Sequence, residues 1–114
     1  MTAMGKLALQ SCTPLPAGTP PLTQDRIEAG LRQLPGWEHR DGAISKIFSF
    51  RNFADTMAFV NAVAWIAARE DHHPDMLVGY DKCRVAYNTH SVGGISENDL
   101  ICAAKIETLC ASRC

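Results

Sequence analysis

The chain has 114 residues, and its 11 lysines and arginines nearly balance 12 aspartates and glutamates, for a net charge of −1. A hydrophobic fraction of 46% with 20% charged residues is typical of a globular protein, and a chain of this length can bury the core of one domain. Because no basic stripe is available to neutralise phosphates, we expect no direct nucleic-acid binding.

The cysteines and the N-terminus indicate the cellular compartment. The sequence has an odd number of cysteines without C-x-x-C spacing, which argues against a disulfide framework and a thiolate zinc site. We therefore expect reduced thiols. The sequence also lacks a secretory signal pattern and a run of about 18 apolar residues that could cross a bilayer. These features predict a cytoplasmic protein that does not bind membranes.

The first 21 residues end in a segment rich in proline, glycine and threonine, "TPLPAGTPP", which offers little to bury. We predict a mobile tail over residues 1–21 and one domain over 22–114. The domain begins with a helix that Thr23 can cap, because Ile27, Leu31 and Leu34 follow at helical spacing. Pro35 and Gly36 should end this helix.

The next segment predicts a hairpin and a long helix. Asp41-Gly42 is a favoured pair for a two-residue turn that needs positive φ, and the residues from Ile44 to Phe50 form the better strand. Asn52 is a good cap for the helix that follows. Pro74 should end that helix, because a residue before proline is pushed out of the helical region.

A second strand pair and a last helix complete the predicted order. "MLVGY" and "CRVAYNTH" surround a turn at Asp81-Lys82, and Ser96 can cap a helix through Leu109 with Asp99 in its first turn. The order α-β-β-α-β-β-α predicts an α+β fold in which three helices cover one face of a four-stranded antiparallel sheet.

Three histidines, His72, His73 and His90, lie near predicted ends of elements, where side chains can reach a cleft. A neutral histidine accepts a proton and a charged one donates it near neutral pH, so such a group suits acid/base catalysis. Neighbouring helical residues point about 100° apart, so His72 and His73 can share a pocket only if the helix ends between them.

Structural roles remain open for the same residues. Charged His72 and His73 can interact favourably with the helix dipole in a last helical turn, and Asp99 can do the same in a first turn. Trp37 can be a core aromatic residue. Three histidines and an acid could also hold a metal, but adjacent histidines are a poor ligand pair and no H-x-x-x-H or H-x-H spacing occurs. We expect no metal.

The motifs "DHHPDMLVGY" and "THSVGGISENDL" resemble those of the pterin-4a-carbinolamine dehydratases. The upstream "LPGWEHRDGAISKIFSFRNFADTMAFV" resembles that family as well, so the resemblance covers about residues 22–109. It implies a four-stranded antiparallel sheet with three helices on one side, and dehydration of 4a-hydroxytetrahydrobiopterin to quinonoid dihydropterin without a cofactor. One departure is Ala68, where the family usually has a polar residue that could hold the pterin's amino-pyrimidine edge.

The resemblance also implies roles for particular residues. His72 and His90 would be the acid/base pair, in an order that the resemblance does not decide, and His73 would position the ring. Asp99 would orient or charge a histidine. We expect four residues to contact the substrate: Asp99, Trp37, Asp71 and Thr89.

The family resemblance further implies partners. We expect a homodimer or homotetramer, because a half-covered sheet and an exposed edge strand invite pairing. The product would return to aromatic amino acid hydroxylases as recycled tetrahydrobiopterin. Family members also act as dimerisation cofactors of other proteins, so a non-catalytic interaction module is the alternative.

Overall fold

The computed structural model describes residues 3–110 as an α+β fold, which confirms the predicted class. The four strands are all antiparallel and lie in the order β1-β2-β4-β3. One more helix is present than predicted, at the N-terminus. The elements in chain order are α1 (Ala3–Leu9), α2 (Gln24–Leu31), β1 (Glu38–Arg40), β2 (Ala43–Ser49), α3 (Phe53–Glu70), β3 (Asp75–Val78), β4 (Lys82–Tyr87) and α4 (Glu97–Cys110).

Several predicted local signals are confirmed. The Thr23 side chain accepts a hydrogen bond from the Arg26 N–H at the start of α2, and Asn52 caps α3 in the same way. Asp41 and Gly42 have φ values of 54° and 77°, as the turn between β1 and β2 requires. Each of these features depends on residues only a few positions apart.

The end of α3 differs from the prediction. The helix ends at Glu70, four positions before Pro74, because Asp71 adopts the left-handed conformation with φ 51°. Aspartate tolerates this conformation, and the N–H groups of Asp71 and His72 both reach the Ala67 carbonyl. Both adjacent histidines therefore lie beyond the helix, in the segment that leads into β3.

The core lies between one face of the sheet and the helices. Ile44 and Phe48 on β2 and Val85 and Tyr87 on β4 point to this side and are buried. On the opposite face of the sheet, Ile47 is 60% exposed and Leu77 is 72% exposed. The helical layer is tight, because a Cβ atom at Gly30 of α2 would lie 2.7 Å from Leu100 of α4.

The N-terminal segment packs against the last helix. Leu7 is buried, and the Lys105 ammonium on α4 donates a hydrogen bond to the Ala8 carbonyl. The segment predicted as a mobile tail therefore has a packed conformation, and its mobility in solution stays a prediction. Among the described helices, none combines the length and apolarity needed to cross a bilayer.

The expectation of reduced thiols holds for only part of the set. Cys12, Cys83 and Cys102 are free, whereas Cys110 is disulfide-bonded. For Cys110 the expectation is wrong.

Candidate active site

A cleft of about 400 Å³ opens where the chain leaves α3, passes into β3 and meets the end of β4. It brings together five of the predicted site residues. Its lining consists of Asp71, His72, His73, Asp75, Ala86, Asn88, Thr89, His90 and Ser91.

His72 is the most firmly held residue of this cleft. Its Nε2 atom lies 2.5 Å from the Asp99 Oδ1 atom, and its side chain is only 14% exposed. The ring stacks on that of Tyr87, with centroids 5.1 Å apart and planes inclined by 27°. The Tyr87 hydroxyl also donates a hydrogen bond to the His72 carbonyl. Ring and backbone of His72 are therefore both fixed.

Asp99 lies behind His72 and is completely buried. Its Oδ2 atom accepts hydrogen bonds from the Ser96 N–H and the Thr89 hydroxyl, both at 2.8 Å. The Ser96 hydroxyl hydrogen bonds to Thr89 instead of capping the helix as predicted. Asp99 thus supports His72 without lining the cleft.

Asp99 raises the pKa of His72 against the effect of burial. Burial lowers the pKa of His72, but the hydrogen bond and negative charge of Asp99 raise it more, aided by Cys102 and Asp71. The net result is a pKa above the ordinary value of 6.5. A charged imidazole is therefore favoured in this position.

His73 and His90 are placed differently. Both are exposed residues that line the cleft. The prediction that His90 ends a strand is wrong. Strand β4 stops at Tyr87, and His90 begins a single 3-10 turn through Val92. A bridge between Thr89 and Gly94 closes this turn, which turns the chain back toward α4.

Trp37 lies outside the cleft. It is 5% exposed, packs edge-on against Phe48 and donates its indole N–H to Glu107 at 2.8 Å. Lys46 shares the same Glu107 oxygen. Within one chain, Trp37 is therefore a core residue with a satisfied polar atom.

Sequence reasoning missed four lining residues and the residue beneath the cleft. Asn88 lies two positions before His90 in the predicted strand "CRVAYNTH", and residues two apart on a strand share a face, so a signal for Asn88 was present. Nothing local in the sequence indicates that Tyr87 stacks on His72, which is 15 positions away. The other missed lining residues are Asp75, Ala86 and Ser91.

A second, larger groove of about 850 Å³ runs along α3. It is mostly apolar and its only charged lining residues are Arg51 and Asp55, which pair with each other. It offers no acid/base pair comparable to the histidine cleft. Among residues 3–110, no group of three or more histidine, cysteine or acidic side chains could hold a metal ion.

The chain is similar to proteins of one family. The family described as Pterin 4 alpha carbinolamine dehydratase matches residues 20–109. A relative from Nitrosospira multiformis, provisionally named a pterin-4-alpha-carbinolamine dehydratase, is 57% identical over 108 residues, covering 95% of this chain and 96% of its own. One from Nitrosomonas europaea with the same name is 56% identical over 110 residues, covering 96% and 97%.

Two solved structures share the fold. The Brucella melitensis protein described as a transcriptional coactivator/pterin dehydratase has a TM-score of 0.75 at 33% identity, covering 78% of this chain and 97% of its own. A pterin dehydratase-like protein identified as a RuBisCO assembly factor in the alpha-carboxysome has a TM-score of 0.56 at 22% identity, covering 67% and 88%. The second comparison shows the fold alone.

Proposed function

This chain belongs to the pterin-4a-carbinolamine dehydratase family of enzymes, and we propose that it dehydrates 4a-hydroxytetrahydrobiopterin to quinonoid dihydropterin by histidine acid/base catalysis. The reaction removes hydroxide from C4a and a proton from N5. It therefore needs an acid near the leaving oxygen and a base near the ring nitrogen. The observation that carries the proposal is the pairing of His72 with the buried Asp99 at the wall of a histidine-lined cleft.

His72 is suited to be the acid. Asp99 raises its pKa above the ordinary 6.5 against the effect of burial, so the ring keeps its proton to higher pH than a free histidine does. Because Nε2 is engaged by Asp99, Nδ1 is the nitrogen left to donate toward the leaving hydroxide. The stacked Tyr87 ring limits rotation of His72, which keeps this direction fixed.

His90 is suited to be the base that takes the N5 proton. It lines the same cleft from a different element and is exposed, so it can exchange its proton with water after each turnover. We assign His73 to positioning the flat ring between them. Thr89 would support Asp99 more than touch substrate, since its hydroxyl is already bound to that carboxylate.

Asp71 can hold the amino-pyrimidine edge of the pterin. Ala68 supplies no polar group for this contact, and Glu70 is turned toward the Cys12 N–H. The left-handed Asp71 is exposed and lines the cleft, so its carboxylate can accept hydrogen bonds from ring N–H groups. The sequence predicted Trp37 as a substrate-binding residue. Within one subunit its burial and its hydrogen bond to Glu107 argue against that role.

The direct test is the dehydration rate of 4a-hydroxytetrahydrobiopterin, measured for the natural protein and for His72→Ala, His90→Ala and His39→Ala. His39 is the remaining histidine and lies in β1 outside the cleft, so its variant is the matched control. We expect the first two substitutions to lower the rate and the control to keep it. Unchanged rates in all three variants would end the assignment.

We also propose a cytoplasmic homo-oligomer that serves tetrahydrobiopterin recycling beside an aromatic amino acid hydroxylase. Strand β3 is at the sheet edge, and Leu77 on it is 72% exposed, which supports pairing with a second copy. Sedimentation analysis of the natural protein and Leu77→Lys tests this, since a charge on the edge should shift the assembly toward monomer.

A second candidate function is a non-catalytic interaction module. It is supported by the apolar groove along α3, by Trp65 on the same helix, which is 63% exposed, and by the description of the Brucella melitensis protein as a coactivator. Loss of dehydration in His72→Ala with an unchanged oligomer would contradict a module-only function. Absence of any dehydration by the natural protein would favour it.

A further inference from the structure

We propose that Cys12 and Cys102 form a reversible disulfide that locks the N-terminal segment onto the helices behind the cleft. Their sulfur atoms lie 3.5 Å apart, and both thiols are free. A disulfide has a sulfur-sulfur distance of about 2.05 Å, so a closure of about 1.5 Å separates the present contact from a bond. This oxidation site is independent of the dehydratase reaction.

The two cysteines come from distant parts of the chain. They are 90 positions apart, and Cys12 belongs to the segment between α1 and α2. Cys102 lies three positions after Asp99 on α4, so the two share a helix face. The proposed bond would therefore join the N-terminal segment to α4, the helix that carries Asp99, which holds His72.

Further hydrogen bonds already align the segment for this bond. The Cys12 N–H donates to Glu70 at the end of α3, at 2.8 Å. The Thr13 N–H donates to the Asn98 side-chain carbonyl at 3.1 Å, and the Asn98 amide donates back to the Thr13 carbonyl at 2.9 Å. These contacts hold Cys12 over Cys102, so bond formation orders little additional chain.

The oxidant would be a small disulfide such as oxidised glutathione. Cys12 is partly exposed and Cys102 fully buried, so Cys12 is the thiol that meets the oxidant. The Cys12 thiolate attacks one glutathione sulfur and releases the first glutathione. The Cys102 thiolate then attacks the Cys12 sulfur and releases the second. The two cysteine thiols lose two electrons and two protons, which end on two glutathione thiols.

The electrostatics around the pair suit the second attack. In the reduced pair the hydrogen bond with Cys12 lowers the pKa of Cys102 against the effect of burial. That hydrogen bond is lost once Cys12 is a mixed disulfide, but Tyr87 and His72 also lower the pKa of Cys102 and remain in place for the second attack. The same hydrogen bond, together with burial, raises the pKa of Cys12. Cys102 therefore forms a thiolate more readily than Cys12 does, and the first attack is the slower step.

Peptide mapping of the full chain tests the proposal. Four cysteines fall in separate tryptic peptides, with Cys12 in residues 7–26, Cys102 in 85–105, Cys83 in 83–84 and Cys110 in 106–113. After oxidation with oxidised glutathione, acid quench and digestion without reductant, we expect peptides 7–26 and 85–105 joined with the loss of two hydrogens. The link should be absent in Cys12→Ser and present in Cys83→Ser, the matched control with another free, buried cysteine.

Thermal unfolding gives a second readout. Closing a loop of this length should raise the Tm of the oxidised natural protein by on the order of 10 °C, and Cys12→Ser should lose that rise. Dithiothreitol should reverse both the link and the shift. The proposal is overturned if folded, oxidised protein yields Cys12 only as a mixed disulfide with glutathione, or joined to another cysteine peptide. A linked protein whose Tm is unchanged would contradict the lock.

Discussion

His72 and His90 line the same cleft, yet one ring is held and the other is exposed. The side chain of His72 is 14% exposed and is held by two neighbours. Asp99 raises its pKa, and the stacked Tyr87 ring limits its rotation. His90 stands at the first position of a 3-10 turn and faces solvent. The difference teaches that a fold can give two identical side chains different tasks by burying a carboxylate behind only one of them.

Removing both rings should produce the largest effect on the proposed reaction. Positioned acid/base catalysis is worth about 10² to 10⁴ in rate, so His72→Ala/His90→Ala should lower kcat/KM by that range. If the two act in one proton-transfer event, the double variant should be little worse than either single variant. Additive losses would contradict the coupled acid/base pair.

Replacing the buried carboxylate should chiefly affect stability. Asp99→Asn keeps the shape but removes the charge that His72, Thr89 and Ser96 contact, and we expect a loss of about 2–4 kcal/mol in the free energy of unfolding. Denaturant titration measures it. Asp55→Asn is the control, because Asp55 pairs with Arg51 at the surface and should lose less than about 1 kcal/mol.

The stability that His72 contributes should depend on pH in one direction. Its folded pKa lies above the ordinary 6.5, so this contribution is full below about pH 6.5 and is lost as pH rises through the folded pKa. The stability advantage of the natural protein over Asp99→Asn should therefore shrink as pH increases from 6 toward 9. An advantage that grows over this range would contradict the assigned pair.

The smallest effect is expected from removing the Thr89 hydroxyl, which donates a hydrogen bond to Asp99. Thr89→Val removes one hydroxyl that donates to Asp99 and leaves Ser96 without its side-chain partner, which should cost about 1–3 kcal/mol. Thr108→Val is the matched control, because Thr108 is an exposed residue of α4 and its hydroxyl donates to the Lys105 carbonyl of the same helix. Equal losses in both variants would mean that Thr89 does not support the buried carboxylate.

Features set by neighbouring residues could be predicted from the sequence. The caps at Thr23 and Asn52 and the Asp41-Gly42 turn depend on three or four positions, and each is present. The end of α3 could not, because two signals compete there. Pro74 alone would allow the helix to continue almost to the proline, but Asp71 adopts the left-handed conformation and ends the helix earlier in the chain.

The candidate site was predictable only in part for a similar reason. Histidines near element ends and the family motifs indicated the residues of the cleft, five of which the fold brings together. The stacking of Tyr87, the burial of Asp99 and the contact between Cys12 and Cys102 join residues 15, 27 and 90 positions apart. Such contacts follow from the packed fold and have no local signature.

The most direct measurement of the central claim is the NMR titration of the His72 ring in the natural protein and in Asp99→Asn. With the carboxylate present, the ring should titrate above pH 6.5, because Asp99 outweighs burial. Without its charge, burial remains the largest influence and the pKa should fall below 6.5. A His72 pKa that is the same in both proteins would show that Asp99 does not keep this histidine charged, and would contradict the account.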